Sequence, residues 1–246
     1  MHNVSNESTV WSTHTTDASA QRTGNDVSNA QPNHRLQNYA YVLEACGAVA
    51  GKRVLDVGFG DGALARSLDL MGATVSAIDI NPENVPRLRV AAPTIAWWKA
   101  DMTSWERSRS ADPFDLIIAC DCLQFVDFDD ALRQLLGVLA PNGRMVGLLP
   151  NADFAPNHDA SSSADALTVV SMSNAAEVLQ PLAQHAHVAY RGIFFQPEST
   201  LVPLRSGPWI NLSNHSGPPR PYLYAKRTEK NSRPPGQLQF VIQLAD

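Results

Sequence analysis

Residues 54–68 read VLDVGFGDGALARSL: a short apolar run, three glycines at alternate positions, then apolar residues at helical spacing. Residues 53–57 (RVLDV) fit a buried strand. Residues 62–71 fit a helix with Leu64, Leu68 and Met71 on one face and Gly72 as its stop. Glycine tolerates positive φ and lets a ligand approach the main chain with no Cβ in the way. A strand that breaks through such a turn into a helix brings free N–H groups and the positive helix end to one place. That place suits a nucleotide-like cofactor.

The loop by itself supports two readings. Gly58-x-Gly60-x-x-Ala63 matches the dinucleotide fingerprint, with Asp79 at the distance from which an acid meets a ribose. The same residues also form Asp56-x-Gly58-x-Gly60-x-Gly62.

Outward from the loop, strands and helices alternate. TVSAIDI (74–80) is a second strand, and Asn81 is placed to cap a helix with Pro82 at its first position. TIAWWKAD (94–101) and FDLIIACDC (114–122) are a third and a fourth strand. A helix over 129–140 carries Ala131, Leu132, Leu135, Leu136 and Leu139, and APNG (140–143) turns the chain into a fifth strand, RMVGLLP (144–150). Past a long loop at 151–172, Asn174 with Glu177 marks a helix start carrying Val178, Leu179 and Leu182. HVAYRGIFF (187–195) and LQFVIQLA (238–245) complete a seven-stranded set, separated by a Pro-rich, aromatic stretch at 196–236 that shows no period. This order predicts an α/β fold: a doubly wound, mostly parallel sheet, Rossmann-like. Upstream, Tyr39, Leu43 and Cys46 fit an amphipathic helix from Leu36 to near Gly51. Residues 1–34 are rich in Ser, Thr and Asn and hold almost no aliphatic side chain, so they are expected to form a disordered tail on a single domain, 35–246.

At this point the chain resembles the class I S-adenosylmethionine-dependent methyltransferases. The resemblance rests on Asp56 and the three glycines, on Asp101 followed by Met102 after the third strand, and on 114–149, with its L-x-P-x-G-R turn. It covers roughly 36–150 well. It implies S-adenosyl-L-methionine as cofactor, held by Asp56, Gly58, Gly60, Gly62, Asp79, Ile80, Asp101, Met102 and Cys120. In that family Asp56 lies near the methionine ammonium, Asp79 accepts the ribose hydroxyls, Ile80 lies on the adenine, and Asp101 and the Met102 N–H meet its polar edge. Each aspartate alone is equally a helix cap or a turn residue; three at the ends of successive strands make a negatively biased cleft suited to a cation.

Bulk properties narrow the partners. A net charge of −5 in 246 residues, with no basic run longer than AKRTEK (225–230), speaks against a nucleic-acid surface. No stretch approaches 18 consecutive apolar residues, and no basic and then apolar leader opens the chain, so neither a membrane span nor secretion is expected. A cytoplasmic location is expected. The three cysteines, Cys46, Cys120 and Cys122, form no disulfide framework and no metal set, and burial is their simplest role. The oligomeric state is left open.

Substrate contacts are sought just after the fourth strand. The Asn/Asp-Pro-Pro-Tyr/Phe motif of nucleobase amine methylation does not occur there, which with the acidic charge points to a small organic acceptor. Asp121 and Gln124 are candidates for polar contact with it, and His158, in the loop where the family builds a lid, is a candidate base. Trp97 and Trp98 face opposite sides of a strand, one expected in the core and the other under a helix. Phe194, Phe195, Trp209, Tyr222 and Tyr224 either line a pocket or staple the C-terminal segment. The expected activity is methyl transfer to an O or N atom of a small molecule. A nicotinamide-dependent oxidoreductase using the same loop and a non-catalytic cofactor-binding subunit are the alternatives.

Overall fold

The computed structural model describes residues 32–81, 83–105, 112–151, 170–194, 205–212 and 237–245. In chain order they form α1 (Pro32–Cys46), β1 (Arg53–Val57), α2 (Ala63–Leu70), β2 (Thr74–Asp79), α3 (Val85–Ala91), β3 (Ala96–Lys99) and β4 (Phe114–Cys120). There follow α4 (Phe128–Leu136), β5 (Leu139–Pro150), α5 (Ala175–Leu179), β6 (Ala186–Phe194), β7 (Arg205–Ser206), β8 (Ile210–Asn211) and β9 (Gln237–Leu244).

One sheet runs β3-β2-β1-β4-β5-β9-β6-β7, with β8 paired to β6. β1 to β5 pair in parallel, and β9 is antiparallel to both of its neighbours, β5 and β6. The seven strands read from the sequence are all here; β7 and β8 are two-residue additions at the far edge. Because successive strand side chains face opposite sides, each strand feeds two cores. Leu55 and Val57 of β1 join Ile117 and Ala119 of β4 under α4 and α5. Val54 joins Leu116 and Ile118 on the other face, under α1, α2 and α3.

Local chemistry sets the helix ends. Asp127 caps α4 by accepting the Asp130 N–H at 2.9 Å, and Asp129 and Asp130 place negative charge in its first turn, where the helix dipole favours it. Helix α2 closes with Ala73 N–H on the Leu68 carbonyl and Gly72 N–H on the Asp69 carbonyl, Gly72 taking φ of 87°.

Several expectations shift. Helix α1 begins at Pro32, inside the stretch assigned to the tail, and ends at Cys46. Strand β5 starts at Leu139, not after the APNG turn. Pairing continues from Phe114–Leu139 to Leu116–Arg144, so the insertion is a bulge within a strand, with Asn142 at φ of 59°. The buried Leu139 holds it there. Helix α3 begins after Asn84, whose side chain makes no cap bond, with Pro86 in its first turn; Asn81 turns on itself, its side chain accepting the Glu83 N–H. Asn174 precedes α5, but its side chain accepts the Ser171 N–H and makes no cap bond. Trp97 is buried, with its indole N–H on the Ala92 carbonyl and its ring edge on Phe59. Trp98, on the other face of the edge strand β3, is half exposed rather than packed under a helix.

Helix α1 is tied to the antiparallel half of the sheet by polar clamps. Arg191 of β6, 3% exposed, pairs with Glu44 (2.9 Å) and Gln239 (2.7 Å), its guanidinium 4.4 Å from the Trp209 ring centre. Gln239 and Arg144 donate to the Tyr41 and Ala45 carbonyls. Among the described residues no helix is long and apolar enough to cross a membrane.

Candidate functional site

The parallel strands β1, β2 and β4 end side by side, and the predicted acids gather there. Between β1 and α2, Gly58, Gly60 and Gly62 take φ of 72°, 53° and 76°. A Cβ on Gly58 would lie 2.6 Å from the Cys122 Cβ, and one on Gly62 would lie 2.8 Å from Trp97. Those two glycines serve packing. At Gly60 a Cβ would meet nothing within 4 Å, so this glycine borders open space. Its N–H donates to Asp79 Oδ2 at 2.9 Å, and Asp79 Oδ1 accepts the Asn81 N–H at 2.8 Å. Asp79 is thereby locked in orientation, with one lone pair of each oxygen still uncommitted by these bonds. Asn84 donates to the Gly60 carbonyl at 3.1 Å and braces the turn from α3.

Asp56 lies beneath this turn, 1% exposed, with Oδ2 unpartnered. Burial pushes its carboxyl up to about 7, the negative charge of Asp79 adds to this, a hydrogen bond from the Ala65 N–H opposes it, and Asp61 raises it further. A buried acid with a bare oxygen is an unsatisfied acceptor, costly until a donor or a cation arrives.

Ile80, next to Asp79 in the chain, is a large apolar side chain 67% exposed to solvent. The Ala100 N–H donates to the Asp79 carbonyl, which brings Asp101 alongside. Asp101 Oδ1 accepts the Thr103 N–H and hydroxyl at 2.9 and 2.8 Å, and half-buried Met102 packs on the core. Cys120 closes β4. Burial raises its thiol well above the usual range, as does the carboxylate of Asp121, 3.9 Å away. Cys122 is structural: its thiol donates to the Val57 carbonyl at 3.2 Å.

Asp121 stands at φ of 55°, outside the region most residues occupy. Its Oδ2 accepts the Asn38 amide and its Oδ1 the Gln237 amide, both at 2.9 Å, while Gln124 donates to its main-chain carbonyl at 3.1 Å. Gln124 is thus held against Asp121. Asn38 and Gln237 were not singled out in the sequence. Asn38 had a signal, since it shares the i, i+4, i+8 buried stripe of α1 with Val42 and Cys46. Gln237 had none, because it reaches the site only through antiparallel pairing with Pro150. His158, Phe195, Tyr222 and Tyr224 lie outside the described residues. Trp209 covers Arg191, as a staple would. Among the described residues no cluster of three or more His, Cys, Asp or Glu could hold a metal ion.

Acids at the strand ends beside a glycine turn, on a nine-strand sheet with β9 inserted antiparallel between β5 and β6, define a Rossmann-like methyltransferase fold. A family model for a methyltransferase domain matches residues 30–202, and the chain belongs to that family. It is 31% identical over 109 residues to the ubiquinone biosynthesis O-methyltransferase of Aeromonas salmonicida, a match covering 43% of this chain and 46% of that protein. The chain thus spans about half the length of the curated relatives it matches. The fold is similar to the 1,6-didemethyltoxoflavin-N1-methyltransferase of Burkholderia thailandensis, at TM-score 0.57 and 17% identity over 90% of this chain and 82% of that one. It is also similar to the N-methyltransferase NodS of Bradyrhizobium japonicum, at TM-score 0.55 and 17% identity over 89% of this chain and 90% of that one.

Proposed function

We propose that the chain is an S-adenosyl-L-methionine-dependent methyltransferase that moves a methyl group to an O or N atom of a small organic molecule. The observation that carries this is Asp56, a buried acid with a bare oxygen under a glycine turn. A dinucleotide would put an anionic pyrophosphate at that turn, against the charges of Asp56, Asp61 and Asp79. A cofactor with an ammonium and a sulfonium answers the same field with opposite charge.

In this reading Asp79 accepts the ribose hydroxyls, already aimed by the Gly60 and Asn81 N–H groups. Ile80 covers the adenine, Asp101 and the Met102 N–H meet its polar edge, Cys120 lines the cleft, and Asp56 faces the ammonium. When bound, the cofactor supplies a methyl group already activated for displacement. The chain contributes alignment of acceptor and donor, worth ~7–11 kcal/mol when two reactants are well oriented. Asp121 and Gln124 stand on the acceptor side, and His158 is retained as a candidate base. A cytoplasmic setting belongs to the same proposal, supported by three cysteines that lie as free thiols.

Calorimetry with S-adenosylhomocysteine and with NADH tests it. S-adenosylhomocysteine is expected to bind at micromolar concentration, and Asp79→Ala to weaken it at least tenfold, a loss of roughly 1.4 kcal/mol or more from charge-assisted bonds. Tight NADH binding with no response to S-adenosylhomocysteine would overturn the reading.

A further inference from the structure

An asparagine at the start of a helix normally turns its side-chain oxygen onto the first free N–H groups, which stabilises the helix locally. Asn84 holds that position before α3 and makes no cap bond. Its amide reaches back 24 residues instead, Nδ2 donating to the Gly60 carbonyl at 3.1 Å. The partner sets the orientation of the amide, because turning it over would bring oxygen against oxygen. A side chain that forgoes the cap for this contact points to a role in the glycine turn.

Gly60 is the residue of the turn that packing does not fix. Gly58 and Gly62 sit close against Cys122 and Trp97, and their N–H groups bond to the Ile78 and Phe59 carbonyls at 2.8 Å. Gly60 lies between them at φ of 53°, with nothing within 4 Å of an added Cβ. Among the described residues it is held by two hydrogen bonds, its N–H to Asp79 Oδ2 at 2.9 Å and its carbonyl to Asn84. Two more bonds close a circuit. The Asn81 N–H donates to Asp79 Oδ1 at 2.8 Å, and the Asn81 side-chain oxygen accepts the N–H of Glu83, the neighbour of Asn84, at 3.0 Å. The circuit thus runs from Gly60 through Asp79, Asn81, Glu83 and Asn84 back to Gly60, and gives each carboxylate oxygen of Asp79 one donor.

We propose that Asn84 is a positioning residue for the cofactor: by holding Gly60 it keeps the Asp79 carboxylate turned to present both oxygens to the vicinal hydroxyls of a ribose. This rests on the methyltransferase reading above. Asn84 acts on the ribose through Gly60 and Asp79. With its amide gone, the Gly60 peptide groups, free of a Cβ and of packing, can rotate, and the N–H that orients Asp79 Oδ2 moves with them. The carboxylate then turns about its last torsion, and a diol must order it on binding, at a cost in affinity. A carboxylate held in place before the ligand arrives avoids that cost. All four bonds of the circuit are exposed, so they add little to the stability of the fold. Their effect falls on the ligand.

A double-mutant cycle with S-adenosylhomocysteine, by calorimetry on the full chain, tests this. The unsubstituted protein, Asn84→Leu, Asp79→Ala and the double variant are compared. Asn84→Leu keeps the size of the side chain and removes its donor. It is expected to weaken binding about three- to tenfold in the unsubstituted background and less than about twofold once Asp79 is gone, because no carboxylate is then left to aim. Thermal midpoints of Asn84→Leu and the unsubstituted protein should agree within about 2 °C. An equal loss in both backgrounds, as a purely structural role gives, overturns the inference and leaves the cofactor reading standing, and so does no loss in either. If Asn84→Leu fails to fold, Asn84→Ala takes its place in the cycle; failure of both to fold overturns the inference, since the asparagine then supports the fold and not the ligand. Absence of binding by the unsubstituted protein overturns the cofactor reading and this inference with it.

Discussion

Asp56 is the sharpest place to perturb the protein, because its environment and its proposed ligand act in opposite directions. The unfolded carboxyl ionises near its ordinary value of 3.8, and the folded one near 7. Below pH 4 both states hold the proton and the site costs nothing. Between about 4 and 7 the unfolded chain loses its proton while the folded chain keeps it, so stability falls as pH rises. Above 7 both are ionised and the penalty is constant. About three pKa units at roughly 1.4 kcal/mol each set the full penalty on the order of 4 kcal/mol. Asp56→Asn removes the titration: the side-chain carbonyl keeps the Ala65 N–H, and the amide takes the position of the bare Oδ2. The assay is chemical denaturation of both proteins from pH 4 to 8. The stability difference between them isolates this one carboxyl, since all other titrating groups are shared. The variant is expected to gain on the unsubstituted protein from about pH 4 to 7 and to level off above that. S-adenosylhomocysteine, bringing an ammonium, is expected to lower the folded pKa, so its affinity for the unsubstituted protein rises towards pH 7 and that of the variant does not. Parallel stability curves across pH 4–8 would refute the reasoning.

Two further predictions concern glycines. Gly58→Ala is expected to cost ~2–5 kcal/mol, combining a strained backbone with the close approach to the Cys122 Cβ, whereas Gly60→Ala has a similar φ but open space and should cost only ~1–2 kcal/mol. Cys122→Ala cannot relieve the first, because the Cβ remains; equal denaturation midpoints for the two glycine variants would exclude the packing role. In the sheet, a Cβ on Gly147 would fall 2.1 Å from the Phe240 ring, so Gly147→Ala should cost ~1–3 kcal/mol and Phe240→Leu should recover part of it. A Gly147→Ala variant with an unchanged urea midpoint would contradict that packing.

The parallel half of the sheet was legible in the sequence because each of its signals is local. RVLDV, TVSAID and FDLIIAC are apolar runs ended by punctuation, and the glycines and acids that follow them fall at fixed offsets from the strand ends. What was not legible depended on tertiary context. Asn81 and Asn84 are three residues apart and both competent to cap; the helix starts after Asn84, whose side chain braces Gly60 and makes no cap bond. The APNG sequence reads as a turn, and the pairing of buried Leu139 with Phe114 ahead of it makes it a bulge within the strand. Which of Trp97 and Trp98 is buried was not legible, since alternation alone puts them on opposite faces and only the packing buries Trp97 and leaves Trp98 half exposed. On the site, Asp56, Asp79 and Asp101 follow from strand ends. Asn38 and Gln237 reach Asp121 across 83 and 116 residues of chain, separations that no local pattern encodes.

The insertion of β9 between β5 and β6 has a consequence for the order in which the protein can mature. A chain emerging from the ribosome can assemble β1 to β5 early, yet β5 then keeps a naked flank until the much later Gln237–Leu244 segment arrives to occupy it. The same segment delivers Gln237 to Asp121. Nascent or truncated forms without it would possess the glycine turn while carrying an exposed sticky edge and an Asp121 that lacks the Gln237 amide. The Asp121 cluster is therefore completed last, by the strand that also protects the sheet from its neighbours.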